Sequence, residues 1–245
     1  MAPKLSIIIP TYQEEHYIER TLKNLATLDI PHEVVITDGG STDATLGIVR
    51  QYTDKVVVWD RPKMGRRQLI GEARNLGATV ATGEYFCFID ADVIIPEPTE
   101  FFTELLTAFE KNPKLVGVTA PLVPLSENHS LLDHIASAPL NFFYIVVNNI
   151  FHSGNASGEF QLMRASAFRH LGGYNPKLVT GEDNDMFQRL GRMGRTLSYR
   201  KLSVQHSLRR PHTLGWPKLY WMWMRAGFMV MILNKQAYEE WEVVR

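Results

Sequence analysis

The chain has 245 residues, of which 45% are hydrophobic and 21% are charged, a composition that argues against global disorder and allows a packed core. Lys plus Arg and Asp plus Glu number 26 each, and this zero net charge argues against a general nucleic-acid-binding protein. The single cysteine, Cys87, excludes an internal disulfide and a cysteine-based zinc site, and its apolar surroundings indicate a buried strand thiol.

Four short apolar runs in the first half of the chain are predicted strands, and helical patterns separate them. The strands are Leu5–Ile9, Val34–Ile36, Val56–Trp59 and Tyr85–Ile89, and the helices are Glu14–Ala26, Asp43–Gln51, Arg66–Ala81 and Glu100–Glu110. Continuous apolar runs are typical of strands that are buried on both faces. Because strand–helix–strand repeats connect through right-handed crossovers, this half predicts an α/β fold with a mainly parallel central sheet.

The second half of the chain has a less regular pattern. The predicted helices are Ser166–Leu171 and Asp183–Met193, and the predicted strands are Phe160–Met163, Thr196–Tyr199 and Leu202–Gln205. The segment Leu131–Phe151 is apolar and aromatic and is broken by Pro139, and from about Pro217 the chain is rich in Trp, Tyr, Met and Phe. With no repeat and no clear linker, we predict one domain over residues 1–210 and an interfacial tail over residues 211–245.

Acidic residues follow three of the four predicted strands at the point where each strand ends. They lie in Pro10–Glu14, Asp38–Asp43 and Asp90–Asp92. In an open parallel sheet, ligands bind outside the carboxyl ends of the strands, so these segments are expected to meet in one site. Residues i and i+2 of an extended segment face the same way, so Asp90 and Asp92 can approach one hard cation such as Mg²⁺. An ordinary turn is the alternative interpretation of this short motif.

The loop Asp38-Gly39-Gly40 allows backbone to approach a ligand closely, because glycine tolerates positive φ angles. The alternative is an ordinary turn that caps the next helix, and both descriptions can hold together. The chain contains neither G-x-G-x-x-G nor G-x-x-x-x-G-K-[ST], which argues against a dinucleotide-binding Rossmann protein and a P-loop NTPase.

Further candidate residues lie in the second half. Glu182 and Asp183 begin a predicted helix, whose N-terminus favours an ionised carboxylate that can act as a general base; capping of the helix is the alternative. His206 precedes Arg209 and Arg210, a combination that suits a diphosphate or its metal, although a lone histidine is more often structural. A second basic group follows the third strand, and there Arg67 is interpreted as a solvated surface residue.

These motifs resemble those of family 2 glycosyltransferases in order and spacing, over roughly residues 4–206. The matching segments are Ile7–Glu14, Asp38–Asp43, Gly71–Ala78, Asp90–Asp92, Gly172–Asn175 and Gly181–Asp185. The resemblance implies a GT-A fold and transfer of a sugar, with inversion at its anomeric carbon, from a nucleotide-diphosphate donor to an acceptor hydroxyl.

The resemblance also implies a role for each matching residue. Asp183 would deprotonate the acceptor hydroxyl with Glu182 beside it, and Asp92, Asp90 and His206 would meet Mg²⁺ or Mn²⁺. The residues expected to bind the nucleotide sugar are Pro10, Thr11, Tyr12, Glu14, Asp38, Gly39, Gly65, Arg66, Asp90, Ala91, Arg209 and Arg210. Two departures are visible: Thr37 replaces the first of two consecutive acids, and the Gln-x-x-Arg-Trp signature of processive synthases is absent. Transfer of a single hexose from a GDP-mannose or UDP-glucose type of donor is therefore expected.

The aromatic segment Trp216–Arg225 predicts contact with a membrane surface. Trp and Tyr favour the membrane interface and Lys and Arg reach its headgroups, so the segment suits an amphipathic helix lying on a bilayer. Packing on the domain or dimerisation is the alternative. The sequence shows no signal peptide and no apolar stretch of ~18 residues. We therefore expect a peripheral protein at the cytoplasmic face of a membrane that acts on a lipid-linked or glycan acceptor.

Two other functions compete with this interpretation. A sugar nucleotidyltransferase also uses metal-binding acids on an α/β sheet, but it usually carries a glycine-rich phosphate loop, and Pro10–Glu14 contains no glycine. A catalytically silent nucleotide-binding scaffold is the second alternative, and the acids at positions 90, 92 and 183 argue against it.

Overall fold

The computed structural model describes residues 3–125 and 129–231. The strands are β1 (Leu5–Thr11), β2 (His32–Asp38), β3 (Val56–Val58), β4 (Tyr85–Ile89), β5 (Val93–Ile94), β6 (Leu115–Thr119), β7 (Leu122–Pro124), β8 (Phe160–Arg164), β9 (Arg195–Ser198) and β10 (Val204–His206). The helices are α1 (Ile18–Leu25), α2 (Thr45–Val49), α3 (Arg61–Met64), α4 (Ile70–Val80), α5 (Pro98–Lys111), α6 (Leu131–Ile145), α7 (Ala165–His170), α8 (Glu182–Met193), α9 (Arg209–Leu214) and α10 (Trp216–Met231). A π-helical turn, Val146–Ile150, continues α6.

The larger sheet has the strand order β3-β2-β1-β4-β8-β6-β9. Strand β8 runs antiparallel to both of its neighbours, and the other pairs are parallel, which confirms the predicted mainly parallel sheet. Thr11 at the end of β1 pairs with Asp38 at the end of β2, so these two ends lie side by side. A smaller sheet, β5-β10-β7, was not expected, because two or three residues are too short for a periodic pattern.

Both faces of the larger sheet are buried, as the apolar runs predicted. Ile7 and Ile9 of β1 pack with α1 and α5, and Ile8 packs on the opposite face with α7 and α8. Each fully buried aliphatic or aromatic side chain contributes about 1.5–3 kcal/mol. Helix α4 approaches β1 so closely that a Cβ on Gly77 would lie 2.4 Å from a methyl carbon of Ile8. Cys87 is buried as expected, and burial raises the pKa of its thiol.

Two predicted helix boundaries are corrected by local hydrogen bonds and packing. The helix predicted from Arg66 begins only at Ile70, because the Glu72 carboxylate accepts the Leu69 amide (3.0 Å) and fixes the first turn there. Pro139 does not break the apolar segment, since α6 continues through it. The helix is held on both sides of the proline, where Asn141 pairs with the backbone of β7 and the hydroxyl of Tyr220 in α10 donates to a carbonyl of α6.

The C-terminal helices pack on the body of the fold. The predicted boundary between residues 210 and 211 falls inside α9, and Leu219 in α10 is fully buried. The indole of Trp216 donates to the Asp133 carboxylate at the start of α6 (2.8 Å). Residues 232–245 of the predicted tail lie outside the described residues. No helix in the described part of the chain combines the length and apolar character that crossing a membrane requires.

Candidate active site

A cleft of about 910 Å³ opens at the carboxyl ends of β1, β2 and β4. The predicted residues that line it are Pro10, Thr11, Tyr12, Glu14, Gly39, Arg66, Asp90, Ala91, Glu182, Asp183, Arg209 and Arg210. A cavity of about 130 Å³ adjoins the cleft, and Asp92 and His206 line it together with Asp90. The expectation that these strand ends build one site therefore agrees with the structure. Of the predicted residues, Asp38 and Gly65 are not among those that line either space.

Asp38 holds the loop after β2 in place. One carboxylate oxygen accepts the amides of Gly40 (3.0 Å) and Ser41 (2.7 Å), and the other accepts the hydroxyls of Ser41 (2.6 Å) and Thr11 (2.9 Å). Asp38 is fully buried and supports this loop beneath the cleft, and its contact with the nucleotide sugar stays a prediction. Gly39, which does line the cleft, is positioned by this loop and by the hydrogen bond that its backbone amide donates to the carbonyl of Thr11 (2.8 Å).

The loop after β1 is tied to the loop after β2 through Gln13. Its side-chain oxygen accepts hydrogen bonds from the backbone amides of Thr42 (2.7 Å) and Asp43 (3.3 Å). The backbone amide of Gln13 donates to the hydroxyl of Ser41 (2.8 Å). Gln13 has a φ of 59°, a left-handed conformation that few non-glycine residues adopt. These hydrogen bonds hold the strained residue, and they fix Tyr12 on one side of it and Glu14 on the other at the wall of the cleft.

Arg209 joins the acids of two different strand ends. Its guanidinium contacts both carboxylate oxygens of Glu14 (2.7 and 3.1 Å) and lies 3.1 Å from Asp92, whose carboxylate also accepts the hydroxyl of Ser207. Its cation also lies 4.8 Å from the ring centre of Tyr17. This placement depends on the pairing of β10 with β5, since Arg209 begins α9 directly after β10. Arg209 thus neutralises acids that the sequence analysis assigned to donor and metal.

Arg74 connects the two acidic groups at the centre of the cleft. It comes from α4, is 1% exposed, and donates to Glu182 (2.8 Å), to Asp90 (3.3 Å) and to the carbonyl of Gly158 (2.9 Å). Its guanidinium also lies 5.4 Å from the ring centre of Tyr174. A buried cation is tolerable only with such partners, so Arg74 fixes Glu182 and Asp90 relative to each other.

Glu182 and Asp183 form a coupled acidic pair at the start of α8. Burial raises the pKa of Glu182 to about 7, with the Asp183 charge adding to the rise, and burial raises the pKa of Asp183 to about 6. Arg74 opposes both shifts. The helix N-terminus was expected to keep Asp183 ionised, but burial outweighs it and shifts the pKa towards neutral pH. A carboxylate with such a pKa accepts a proton more readily than an exposed one, as a general base must.

The basic segment after β3 forms one rim of the cleft. Arg66 lines the rim, where its guanidinium pairs with Glu72 (2.8 and 2.5 Å) and lies 5.6 Å from the ring centre of Trp59. Gly65 is exposed with a φ of 67°, so it provides the turn before Arg66 and is not part of the lining. Arg67, interpreted from the sequence as solvated surface, is half-buried and lines the cleft.

The chain matches the family model "Glycosyl transferase family 2" over residues 6–172, which is more than half of its length. It belongs to this family. A dolichyl N-acetyl-α-D-glucosaminyl phosphate 3-β-D-2,3-diacetamido-2,3-dideoxy-β-D-glucuronosyltransferase from Methanococcus voltae is 29% identical over 73% of this chain and 59% of its own length. The poly(ribitol-phosphate) β-N-acetylglucosaminyltransferase TarS of Staphylococcus aureus is 38% identical over 39% of this chain and 17% of its own length. The chain thus spans less than two thirds of these curated relatives.

Solved structures share the fold of this family 2 chain. The mannosyltransferase PcManGT from Pyrobaculum calidifontis, in complex with GDP-Man and Mn²⁺, superimposes with a TM-score of 0.71. The alignment covers 94% of this chain and 63% of PcManGT at 20% sequence identity. Residues 1–349 of TarS superimpose with a TM-score of 0.61 at 21% identity. These similarities confirm the predicted GT-A fold.

The acids in the cleft show whether this site suits the divalent metal that the family resemblance implies. Mg²⁺ and Mn²⁺ take oxygen ligands, and Mg²⁺ is usually held by one or two carboxylates plus substrate phosphates. The Asp90 side chain is 35% exposed. Partial burial and the negative charge of Asp92 raise the pKa of Asp90, so a bound cation would offset the repulsion between the two carboxylates. Within the described residues no three His, Cys, Asp or Glu side chains converge on one point. The acids therefore fit a cation that the diphosphate helps to hold. Contact between His206 and the metal stays a prediction.

Two residues at the centre of this family 2 site, Arg74 and Glu159, were not predicted as site residues from the sequence. Arg74 appeared there only within a matching motif, without a role. Glu159, in the turn before β8, lines both the cleft and the small cavity, and burial raises the pKa of its carboxyl group. Arg74 shows no local signal because its partner Glu182 lies 108 positions away, and Glu159 belongs to none of the motifs found in the sequence. Helix α10 also contributes Tyr220, Trp223 and Met224 to the cleft lining, so the predicted tail forms part of the site.

Proposed function

We propose that this chain is the catalytic unit of a metal-dependent inverting glycosyltransferase that moves one hexose from a nucleotide-diphosphate sugar to an acceptor hydroxyl. The observation that carries the proposal is the Arg74 bridge. It holds Glu182, next to the candidate base Asp183, and Asp90, the candidate metal and diphosphate residue, in one cleft. A base and a leaving-group site that face the same space are what a single displacement requires.

The proposed reaction follows from these positions. Asp183 accepts the proton of the acceptor hydroxyl as its oxygen attacks the anomeric carbon, on the face opposite the departing diphosphate. The bond between the anomeric carbon and the diphosphate oxygen breaks, and the electron pair stays on the diphosphate. Asp183 suits the role of base because burial raises its pKa to about 6, so it is mostly ionised yet basic at neutral pH.

Negative charge that develops on the diphosphate requires nearby positive charge. Asp90 and Asp92 would hold Mg²⁺ or Mn²⁺, which would supply a Lewis acid at the diphosphate oxygens. His206 is a third candidate, because it lines the same small cavity. Arg209 and Arg210 line both spaces, so they can turn their guanidinium groups towards the phosphates. The proposal includes both uridine and guanosine diphosphates as the nucleotide of the donor.

The acceptor side of the cleft supports contact with a membrane surface and a lipid-linked or glycan acceptor. Large exposed apolar side chains cluster on α6, its π-helical turn and α10. They are Leu131, Leu132, Ile135, Phe142, Phe143, Ile150, Phe151, Trp221 and Met224, each 45–77% exposed. So many exposed large apolar side chains on neighbouring elements are unusual for a protein surrounded by water. The curated relative from Methanococcus voltae acts on a dolichyl-linked acceptor, in agreement with the proposal. We propose a peripheral position at the cytoplasmic face of the membrane.

The catalytic proposal is tested with Asp183→Asn and a matched control, Asp185→Asn. Both residues lie in the first turn of α8, but Asp185 pairs with Arg189 (2.7 Å) and is not among the residues that line the cleft. Asp183→Asn should lower the rate of sugar transfer by about 10²–10⁴-fold and leave the Kd of the donor within about twofold. Asp185→Asn should retain activity. Loss of donor binding together with activity in Asp183→Asn would contradict the role of Asp183 as base.

The donor is identified by thermal shift with UDP, GDP and their sugars, with and without Mn²⁺ or Mg²⁺. Metal-dependent stabilisation by one nucleotide diphosphate supports the proposal. Release of pyrophosphate from a nucleoside triphosphate and a sugar phosphate would instead identify a nucleotidyltransferase. Donor binding by a folded protein that transfers no sugar to any acceptor would identify a silent scaffold.

Membrane contact is tested by co-sedimentation with anionic liposomes. Phe142→Glu places a charge on α6 among the exposed apolar side chains and should reduce the bound fraction severalfold. The control is Met193→Glu, because Met193 is also an exposed apolar residue (44%) but ends α8 and is not part of the cluster. Equal binding of the two variants would contradict the membrane proposal.

A further inference from the structure

Helices α6 and α10 lie side by side and form one wall of the cleft. The indole of Trp216 donates to Asp133 (2.8 Å). One turn further along both helices, the hydroxyl of Tyr220 donates to the carbonyl of Ala136. The turns that follow line the cleft, and their lining residues include Leu140, Phe143 and Tyr144 of α6 and Tyr220, Trp223 and Met224 of α10. This wall is therefore built from aromatic and aliphatic side chains.

Two residues of this wall also face the outside of the protein. Phe143 is 45% exposed and Met224 is 61% exposed, although both line the cleft. On the same helices, Phe142 and Trp221 are 67% and 64% exposed, and they are not among the residues that line the cleft. Apolar side chains of α6 and α10 thus lie both inside the cleft and on the outer surface of the two helices, and Phe143 and Met224 belong to both sets.

The wall reaches the candidate base. Tyr144 of α6 is buried and lines the same cleft as Asp183. Burial raises the pKa of the Tyr144 phenol and the charge of Asp183 adds to the rise, so the two side chains lie close enough to interact. An acceptor whose hydroxyl meets Asp183 therefore has α6 beside it, and an acceptor that extends out of the cleft on this side passes Phe143 and Met224.

The composition of the wall indicates what it can hold. Residues 135–151 contain no charged side chain, and neither do residues 219–224 of α10. The charged side chains that line the cleft all come from other elements. An alkyl chain can lie along such a wall because it removes apolar surface from water and desolvates no charge. A long glycan suits the wall less well, since few side chains there can pair with its hydroxyls.

We propose that Phe143, Trp223 and Met224 bind the apolar chain of a lipid acceptor inside the cleft, so that its hydroxyl reaches Asp183 while the far end of the chain stays in the bilayer. This inference rests on the proposed function, because it assigns the chain to the acceptor of glycosyl transfer. It selects a lipid-linked acceptor over a free glycan. It also gives Phe143 and Met224 a role in substrate binding that is separate from contact between the protein and the membrane surface.

The test measures Kd by calorimetry for maltose, octyl maltoside and decyl maltoside, each below its micelle concentration and without membranes. The three probes share one headgroup, so a difference between them reports on the chain. Each CH₂ group that leaves water lowers Kd by up to about fourfold. Decyl maltoside should therefore bind about tenfold more tightly than octyl maltoside, and maltose should bind most weakly.

Two pairs of variants separate the cleft wall from the outer surface. Phe143→Ala and Met224→Ala, each folded by circular dichroism, shorten residues that line the cleft and should reduce the ratio of the two alkyl Kd values to about threefold or less. Phe142→Ala and Trp221→Ala are the matched controls, because they shorten exposed residues of the same helices that are not among the cleft lining. They should keep the tenfold ratio and bind anionic liposomes less well than the wild type.

Equal Kd values for octyl and decyl maltoside in the wild type would overturn the inference. A tenfold ratio that all four variants retain would also overturn it, since the chain would then bind elsewhere. In sedimentation velocity, a dimer that Phe143→Ala and Phe142→Ala both dissociate would assign this face to a second copy of the chain. Donor binding in the thermal-shift test without any dependence on chain length would keep the proposed function and reject this inference. Dependence on chain length without donor binding would reject the proposed function, and the acceptor role of the chain with it.

Discussion

Arg74→Met tests whether the buried bridge at the centre of the cleft is electrostatic. Methionine fills similar space but donates no hydrogen bond, so Glu182 loses its partner at 2.8 Å and Asp90 loses its partner at 3.3 Å. The Glu182 side chain is only 7% exposed, and water therefore replaces the lost bond poorly. Removing one partner of a buried ion pair costs about 3–5 kcal/mol of unfolding free energy.

The loss of unfolding free energy must depend on pH, because the Glu182 carboxyl group, left without Arg74, can take up a proton. In the wild type burial already raises the pKa of Glu182 to about 7, and Arg74 lowers it, so removing Arg74 raises this pKa further. A folded-state pKa above the unfolded value of ~4.3 reduces stability as the pH rises through the folded-state pKa. The destabilisation of Arg74→Met should therefore be about 4 kcal/mol at pH 8 and smaller by roughly 1–2 kcal/mol at pH 5.5, since each shifted pKa unit is worth ~1.4 kcal/mol.

Urea unfolding at pH 5.5 and pH 8.0 measures both values. Arg164→Met is the matched control, because Arg164 donates to the carbonyls of Leu115 and Phe109 (both 2.8 Å) and to the hydroxyl of Tyr85 (3.3 Å), and these partners are uncharged at both pH values. Its loss of stability should be the same at both pH values. An equal loss for Arg74→Met at pH 5.5 and pH 8.0 would refute the electrostatic role and leave only packing.

Three further predictions concern the acidic pair of α8, the loop after β2 and the anchor of α10. The rate of sugar transfer should rise with pH through an apparent pKa of about 6–7, because Asp183 must lose its proton to act as base, and a flat profile from pH 5 to 8 would contradict this. In urea unfolding, Asp38→Ala should cost about 3 kcal/mol, since two partly buried amides and two hydroxyls lose their acceptor, whereas Asp38→Asn should cost about 1 kcal/mol. Trp216→Phe removes the hydrogen bond to Asp133 and should cost about 1.5 kcal/mol. Faster trypsin cleavage within α10 is then expected, and an unchanged cleavage rate would show that this bond does not anchor the helix.

Local sequence patterns predicted the part of the fold that carries the site. The β1 and β4 strands contain continuous apolar runs that are buried on both faces, which favours strands regardless of what lies elsewhere. The polar segments that follow them end at one sheet edge because the strands are parallel. The predicted positions of Glu14 and Asp90 in one cleft therefore depended on topology alone, whereas the prediction for Asp183 depended on the helix start and on the family resemblance.

The contacts within the site could not be predicted in the same way. Arg74 and Glu182 are 108 positions apart, and Arg209 and Glu14 are 195 positions apart. Periodicity reports on neighbours within one helix or strand and carries no information on such pairs. The pairing of β10 with β5, which delivers Arg209 to Glu14, involves only two residue pairs. The hydrogen bonds of Asp38 within its own loop could not be predicted for a related reason, since a loop acid that binds a ligand and one that binds its own loop have the same sequence.

The two arginines explain how several acids can share this cleft. Arg74 serves Asp90 and Glu182, and Arg209 serves Glu14 and Asp92, so each acid of the Asp90-Ala91-Asp92 motif has its own cationic partner. When these acids are ionised, the two cations leave part of the negative charge unbalanced. A divalent cation would supply the missing positive charge, and a diphosphate that enters with it would compete with the acids for Arg209. The Arg209 contacts are therefore the first that donor binding must change, whereas the fully buried Arg74 can keep its partners throughout the reaction.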